Sequence, residues 1–466
     1  MTDNICFFIN RDLEIRDLKF IIREFLSEGK KVYLISSTIS KKKKIFSIKT
    51  FGIEEIYNDF KKNKNFIHQV FTIKENNFLN MLRYIFSFHA YEKRGKIFHE
   101  LKKRFCESNP RFNFFYSNFK FLFKSKVFIY LNTILLKIFE NFFYDKKLEE
   151  FLKNINPNFV FFTPHVLDVT LKQNEIIKVC NKLNIRSSFI VRSWDNLTNK
   201  ASMNIEPSDI CVWNKFQKEE LEKFHNIKNS RIHITGAHLY EYLLEPPIVN
   251  KETETINKRK IITYFGSSPQ IVEDEFDYIL DLVSLIKKQT NLFDQNIIFK
   301  FRPHPLNIHK KYLDDINLFK QKIKNLKYQN IEIIPDLNPE NIDEFYKNIM
   351  NKKIYVDTMI ESNLLIGVNT SAMVEANFYG KKIIQIPNEL TLNHKGLFNN
   401  TYHSTYLNNS STAATIQCNN FEDMILKITN VISNNEISKV SQEFKKEFLN
   451  LSNKPSKNLI NLVNRN

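Results

Sequence analysis

Three short stretches of this 466-residue chain place anion-binding groups directly behind apolar runs. Gly266-Ser267-Ser268-Pro269 follows the run 261–265, Arg302-Pro303-His304-Pro305 follows 296–301, and Asn369-Thr370-Ser371-Ala372 follows 364–368. Gly266 lets the backbone approach a ligand closely, and Ser267 and Ser268 add hydroxyl and amide donors where a helix N-terminus favours negative charge. Thr370 and Ser371 can act as caps and phosphate donors at once. Arg302 is a planar, two-pronged donor, and His304, held between prolines, can donate to a phosphate oxygen or a base. Four residues into the last helix, Glu375 can accept from ribose hydroxyls. Taken singly, these are a cap, a turn residue and a solvated helix charge. Together, at three successive strand ends of one domain, they point to a nucleotide diphosphate.

The elements that would hold these groups alternate in type. Residues 5–9 (ICFFI) read as a strand, Ile15, Leu18, Ile22 and Phe25 recur at helical spacing until Gly29, and 31–37 (KVYLISS) is a second strand. Such strand, helix, strand order builds parallel sheets. The pattern resumes at 159–163 (FVFFT), with a helix through Ile176, Val179 and Leu183 and a strand at 188–191. A polar stretch with Pro246, Pro247 and NKETETINKRK reads as a linker. Beyond it come strands at 261–265, 296–301, 331–334, 364–368 and 382–386, with helices over about 271–288, 340–350 and from Ser371. The expected fold class is α/β, with a Rossmann-like N-terminal domain (1–243), a linker (244–260), a Rossmann-like C-terminal domain (261–439) and a helical segment (440–466) crossing back. Repeats of solenoid length and low-complexity tracts are absent from the sequence.

Composition narrows the function class. Sixty-eight basic residues against 51 acidic ones, a net charge of +17, suit polyanions, anionic lipid surfaces or phosphorylated small molecules. Five scattered cysteines without a CxxC pair argue against a disulfide framework or a zinc site and fit a reducing cytosol. The N-terminal dozen residues do not read as a signal peptide. The region 66–145 reads as long basic, aromatic helices, with twelve phenylalanines between Phe98 and Phe143 and, over 91–138, eleven Lys or Arg against three Glu. Two readings stand: helices packed on the sheet with snorkelling lysines, or a surface lying on an anionic membrane. Nucleic acid is not the expected partner, because the phenylalanines come at core spacing without an RNA-binding or helix-turn-helix signature. Val127–Phe143, interrupted by Lys137 and Glu140, is too short to span a bilayer.

FRPHP, followed by GVNTSAMVEANFYGKKIIQIP, resembles the nucleotide-binding domain of GT-B glycosyltransferases, in the superfamily that includes UDP-glycosyltransferases, glycogen phosphorylase, CDP-glycerol glycerophosphotransferases and non-hydrolysing UDP-sugar epimerases. SWDNLTNK (193–200), VWNKFQKEELEKFHNI and RIHITGAH resemble GT-B-like proteins of surface-carbohydrate clusters, and the resemblance spans roughly 150–390. It implies two domains facing across a cleft, the C-terminal one holding a nucleotide-activated sugar through Arg302, His304, Thr370, Ser371 and Glu375. The acceptor would enter from the N-terminal domain, with no metal and no cofactor besides the nucleotide sugar. Two departures stand out: TGAHLYE replaces an expected TGAP-x-[FY]-D, bringing in His238 and Glu241, and INRDLE replaces a Gly-rich first turn. A transfer needs a base near the acceptor hydroxyl. The candidates at N-domain strand ends are His165, beside Asp168, and Asp195, with Trp194 as a sugar platform and Asn196 beside it; both stretches also read as ordinary turns.

The resulting expectation is a metal-independent, cytoplasmic glycosyltransferase, peripheral on the inner membrane face, building a surface polysaccharide such as capsule or lipopolysaccharide from a nucleotide sugar on a glycan or lipid-linked acceptor. The rivals are a glycerophosphotransferase or UDP-sugar epimerase of the same fold, and a catalytically inactive GT-B-like assembly or membrane-binding protein.

Overall fold

The computed structural model describes residues 3–10, 13–38, 53–162, 172–194, 196–225, 227–245, 260–267, 279–284, 286, 297–304, 310–325, 330–335, 342–368, 372–386, 415–416, 418–434 and 444–465. The chain divides into two compact units, Met1–Tyr242 with Leu449–Asn466, and Leu243–Phe448.

The first unit carries β1 (Asn4–Ile9), β2 (Lys31–Thr38), β3 (Phe66–Thr72), β4 (Phe159–Phe162), β5 (Arg186–Ile190), β6 (Asp209–Val212) and β7 (Arg231–Ile234). They form one sheet in the order β3-β2-β1-β4-β5-β6-β7, and every pairing is parallel. Parallel strands covered on both faces need continuous apolar runs, and β1 and β4 supply them. Phe7 lies opposite Phe161 in the register, and their rings stack at 5.1 Å. The helix Leu13–Ser27 buries Ile15, Leu18, Ile22 and Phe25 on this layer and ends at Gly29, whose φ of +75° suits a residue without a Cβ.

The second unit carries β8 (Lys260–Phe265), β9 (Ile297–Arg302), β10 (Ile331–Ile333), β11 (Leu364–Gly367), β12 (Ile383–Gln385) and β13 (Thr415–Ile416), in the order β10-β9-β8-β11-β12-β13 and again parallel. In both sheets the chain winds outward from its first strand to one edge and then returns to wind outward on the other side. The reversal opens a crevice beyond the carboxyl ends of β1 and β4, and of β8 and β11, where open α/β sheets receive ligands.

The C-terminal helix Pro455–Asn464 belongs to the first unit, with Leu459, Ile460, Leu462 and Val463 in its core. Ser456 fixes it, donating from its backbone N–H (2.8 Å) and its hydroxyl (2.6 Å) to the carboxylate of Glu241. Gly236 permits the junction: its φ is +93°, and a Cβ there would lie 2.6 Å from the Asn450 carbonyl oxygen. Gly236→Ala is therefore expected to lower the unfolding free energy by about 2–3 kcal/mol, read as a drop in urea midpoint. An unchanged midpoint would contradict this packing.

The sequence reading needs two corrections here. The region from 66 opens with a strand, β3, and becomes helical only at Asn77–Ala90. The helix Lys352–Glu361 was not anticipated, nor were β6 and β13. Of the aromatic stretch, Phe88, Phe105, Phe112 and Phe123 form a buried cluster, with Phe88 and Phe112 centroids 5.3 Å apart. To that extent the phenylalanines pack as core.

Candidate functional site

At the carboxyl ends of the second sheet, the Gly266 N–H donates to the Arg302 carbonyl at 2.8 Å, tying the end of β8 to that of β9. The Ser267 hydroxyl donates to the Val368 carbonyl, joining the strand ends on either side of the reversal. Arg302 is 3% exposed. Its guanidinium lies 5.2 Å over the Tyr355 ring, and Nη2 donates to the Ile349 carbonyl at 2.8 Å. Nη1 is buried with no hydrogen-bond partner among the described residues. Burial pulls the Arg302 pKa down to about 10 against the favourable charges of Tyr355 and Glu375, so the group remains cationic at neutral pH.

Tyr355 organises this corner from the helix Lys352–Glu361, whose start is capped by the Asn351 side chain accepting from the Lys353 N–H at 2.9 Å. Its ring meets Phe265 edge-on at 5.5 Å, and its hydroxyl donates to Glu375 Oε2. Glu375, in the helix Ala372–Phe378, is 2% exposed and also accepts from Lys352 Nζ at 3.1 Å. The carboxylate of Glu375 is thus a buried strut between two helices and not a solvated charge, and the ribose contact expected of it rests on the sequence. His304 is half-buried, and burial lowers its pKa to about 4. At neutral pH its ring is uncharged, with one nitrogen donating and the other accepting. Gly266, Ser267, Arg302 and His304 thus lie at or just beyond the strand ends, and Glu375 lies in the helix that follows β11. Ser268, Thr370 and Ser371 lie outside the described residues.

In the first unit, Trp194 is buried behind β5. Asn196 shapes the turn there, its Oδ1 accepting from the backbone N–H of Arg192 (3.1 Å) and Ser193 (2.9 Å). His165, Asp168 and Asp195 lie outside the described residues. The structure adds groups that sequence reasoning missed. Arg192 Nη2 is 2.7 Å from Oδ2 of Asp17, which is buried on the helix after β1. Glu14, in the first turn of that helix, accepts the Asn10 N–H at 2.9 Å. His238, past β7, is buried, and its pKa is lowered to about 3 by burial and then by the Arg192 charge, so its imidazole is neutral. The missed signal was position: Glu14 and Asp17 share the apolar stripe of Leu18, Ile21 and Phe25, where a solvated charge has no place.

No family model matches the sequence, and no curated protein matches it. Among solved structures, a Listeria monocytogenes protein described as a UDP-N-acetylglucosamine 2-epimerase superposes with a TM-score of 0.52 at 9% identity, covering 99% of this chain and 96% of the other. The Methanocaldococcus jannaschii UDP-GlcNAc 2-epimerase superposes with 0.50 at 13% identity over 99% and 100%. The Neisseria meningitidis UDP-GlcNAc 2-epimerase gives 0.50 at 11% over 99% and 100%. The chain has the GT-B fold. At such identities the likeness is one of fold, and it extends over both α/β units of this GT-B protein.

Proposed function

We propose that this GT-B protein is an enzyme that uses a nucleotide-activated sugar, held at the carboxyl ends of β8, β9 and β11, and transfers the sugar to a glycan or lipid-linked acceptor. The observation that carries the reading is Arg302, a buried cation beside Gly266 whose Nη1 is without a hydrogen-bond partner among the described residues. Buried donors left unmade cost about 1–3 kcal/mol, and a diphosphate oxygen supplies the missing acceptor with opposite charge. The fold supports the same ligand class, since the Methanocaldococcus enzyme was solved with UDP-GlcNAc and UDP.

In the transfer, an acceptor hydroxyl attacks the anomeric carbon as the bond from that carbon to the diphosphate oxygen breaks. The hydroxyl proton passes to a base, for which His165 and Asp195 remain the candidates, and the nucleoside diphosphate leaves with the bonding pair. Negative charge grows on the leaving phosphate, where the Arg302 guanidinium and a neutral His304 N–H are the proposed donors, so the reading needs no metal. Thr370, Ser371, Ser267 and Ser268 complete the proposed cradle. Glu375 acts in it by holding Tyr355 and Lys352 in place. Surface-polysaccharide synthesis on the cytoplasmic side of a membrane is the proposed setting.

The named neighbours favour one rival, epimerisation of a UDP-sugar. Product analysis separates the two. Incubation with UDP-N-acetylglucosamine and other nucleotide sugars is expected to release nucleoside diphosphate only when an acceptor glycan or glycolipid is present. Conversion of the sugar to its epimer without any acceptor would overturn transfer in favour of the rival.

A further inference from the structure

The helix Lys126–Phe142 is packed inside out. Its buried stripe is Asn132, Leu136 and Glu140, two of them polar. Asn132 donates its amide to the Leu82 carbonyl at 3.2 Å, and Glu140 receives Arg83 at 2.6 and 2.7 Å and Lys178 at 3.1 Å. The opposite face carries Val127, Tyr130, Leu131, Ile134, Ile138 and Phe142, with exposures from 36% to 75%. Phe114, Phe121 and Phe143 stand exposed in the neighbouring segments. Isolated exposed apolar side chains are ordinary, but a helix that buries Asn132 and Glu140 while it exposes a whole row of large apolar side chains is not.

Charge identifies what covers this face. Between residues 110 and 143 the basic side chains Arg111, Lys120, Lys124, Lys126 and Lys137 are all exposed, while the sole acid, Glu140, is buried in its ion pairs. Over residues 110–143 the surface is therefore apolar, rimmed by cations and without an exposed carboxylate. A second copy of the chain, related by a two-fold axis, would bring like-charged rims together without countercharge. An anionic bilayer meets both features, because acyl chains take the apolar face and headgroups the lysines. No single helix among the described residues is long and apolar enough to span a membrane: this one, at 17 residues, is about 26 Å long and Lys137 interrupts it, and the helix Lys146–Ile155, bent 50° from it, buries Leu148, Leu152 and Ile155 in the protein.

We propose that this face docks onto an anionic lipid surface, with the helix lying in the plane of the interface. The buried contacts of Arg83 and Lys178 with Glu140 hold the helix so that its apolar side stays outward. Docking would bring a lipid-linked acceptor to the transferase proposed above, but it stands on the first unit alone.

The test is flotation of the full-length protein with vesicles of phosphatidylglycerol and phosphatidylcholine, beside vesicles of phosphatidylcholine only. Recovery with the anionic vesicles is expected to exceed the neutral control at least about tenfold and to fall at high salt. The variant carrying Ile134→Glu and Ile138→Glu, both at exposed positions, is expected to lose flotation while keeping its melting temperature and nucleotide binding. Tyr130→Trp adds a direct probe, since brominated acyl chains should quench its fluorescence, and native Trp194 and Trp213 are buried. Failure of the wild type to float, or equal flotation of the glutamate variant, would overturn the proposal. So would a dimer in sedimentation that the same variant dissociates. Flotation without any nucleotide binding would instead overturn the enzymatic reading and leave the docking face intact.

Discussion

Arg83→Met is expected to lower the unfolding free energy of the first unit by about 3–5 kcal/mol, the cost of stranding buried carboxylates. Arg83 is 1% exposed and lies between three helices. Nε and Nη2 reach Glu140 at 2.6 and 2.7 Å, Nη2 reaches Glu175 at 2.8 Å, and Nη1 reaches Asn80 at 2.9 Å. Lys178 closes the cluster at 3.1 Å from Glu140 and 2.8 Å from Glu175, and the Asn204 amide adds a 2.7 Å bond to Glu140. Burial alone would raise the pKa of Glu140, but the hydrogen bonds and charge of Arg83 outweigh it and hold the carboxyl below its ordinary range. Without Arg83, Lys178 alone faces two carboxylates. Adding Glu140→Leu leaves the Lys178 and Glu175 pair, and the double variant is expected to recover much of the loss. Urea denaturation of the two variants checks this. A single variant within about 1 kcal/mol of wild type would show that the cluster does not fix the helix Lys126–Phe142.

Acidification from pH 7 to 5 is expected to cost the first unit about 2 kcal/mol for each of His225 and His238. Both are buried and lowered to about 3, chiefly by burial and then by a nearby arginine, Arg94 for His225 and Arg192 for His238. His225 shows why its neutral form is favoured: Nδ1 accepts from the Met203 N–H at 3.2 Å, so Nε2 keeps the proton and donates to the Leu197 carbonyl at 2.8 Å. Above pH 6.5 both histidines are neutral in the folded and unfolded states, and stability is full. Below it the unfolded chain takes up protons that the folded unit refuses, so stability falls as pH drops toward 3, by about 1.4 kcal/mol per unit and group. His89, lowered to about 4, acts in the same sense. Urea midpoints at the two pH values should show His238→Leu losing about 2 kcal/mol less than wild type. Equal losses would mean that His238 does not titrate in this way.

The strand ends of the second unit were legible because largely apolar runs stop at Gly266 or at Pro303 after Arg302, and such breaks mark strand ends without any knowledge of strand order. The order itself was not legible, since which strand neighbours β8 is decided by packing between residues a hundred positions apart, as when Ser267 meets Val368. β6 escaped because four residues, DICV, are too few to show a period, and β7, RIHI, is as short. Their polar starts are explained by Asp209, which accepts Arg231 at 3.0 Å and His233 at 2.7 Å from the neighbouring strand. The surroundings of Glu375 were not legible, because its partners Tyr355 and Lys352 belong to the unanticipated helix. Asp17 and Glu14 were passed over because acids at the start of a helix commonly face solvent. His165, Asp195, Thr370 and Ser371 fall outside the described residues, so their roles rest on the sequence.

The central claim is that a nucleotide diphosphate seats against Arg302. Its most direct test is calorimetric titration of the purified protein with UDP, GDP, CDP, CMP and dTDP, repeated with Arg302→Met. One diphosphate is expected to bind, and the variant to bind it about ten- to a hundredfold more weakly, the worth of one charge-assisted hydrogen bond. Absence of binding by every nucleotide, or equal affinity in wild type and variant, would contradict the account.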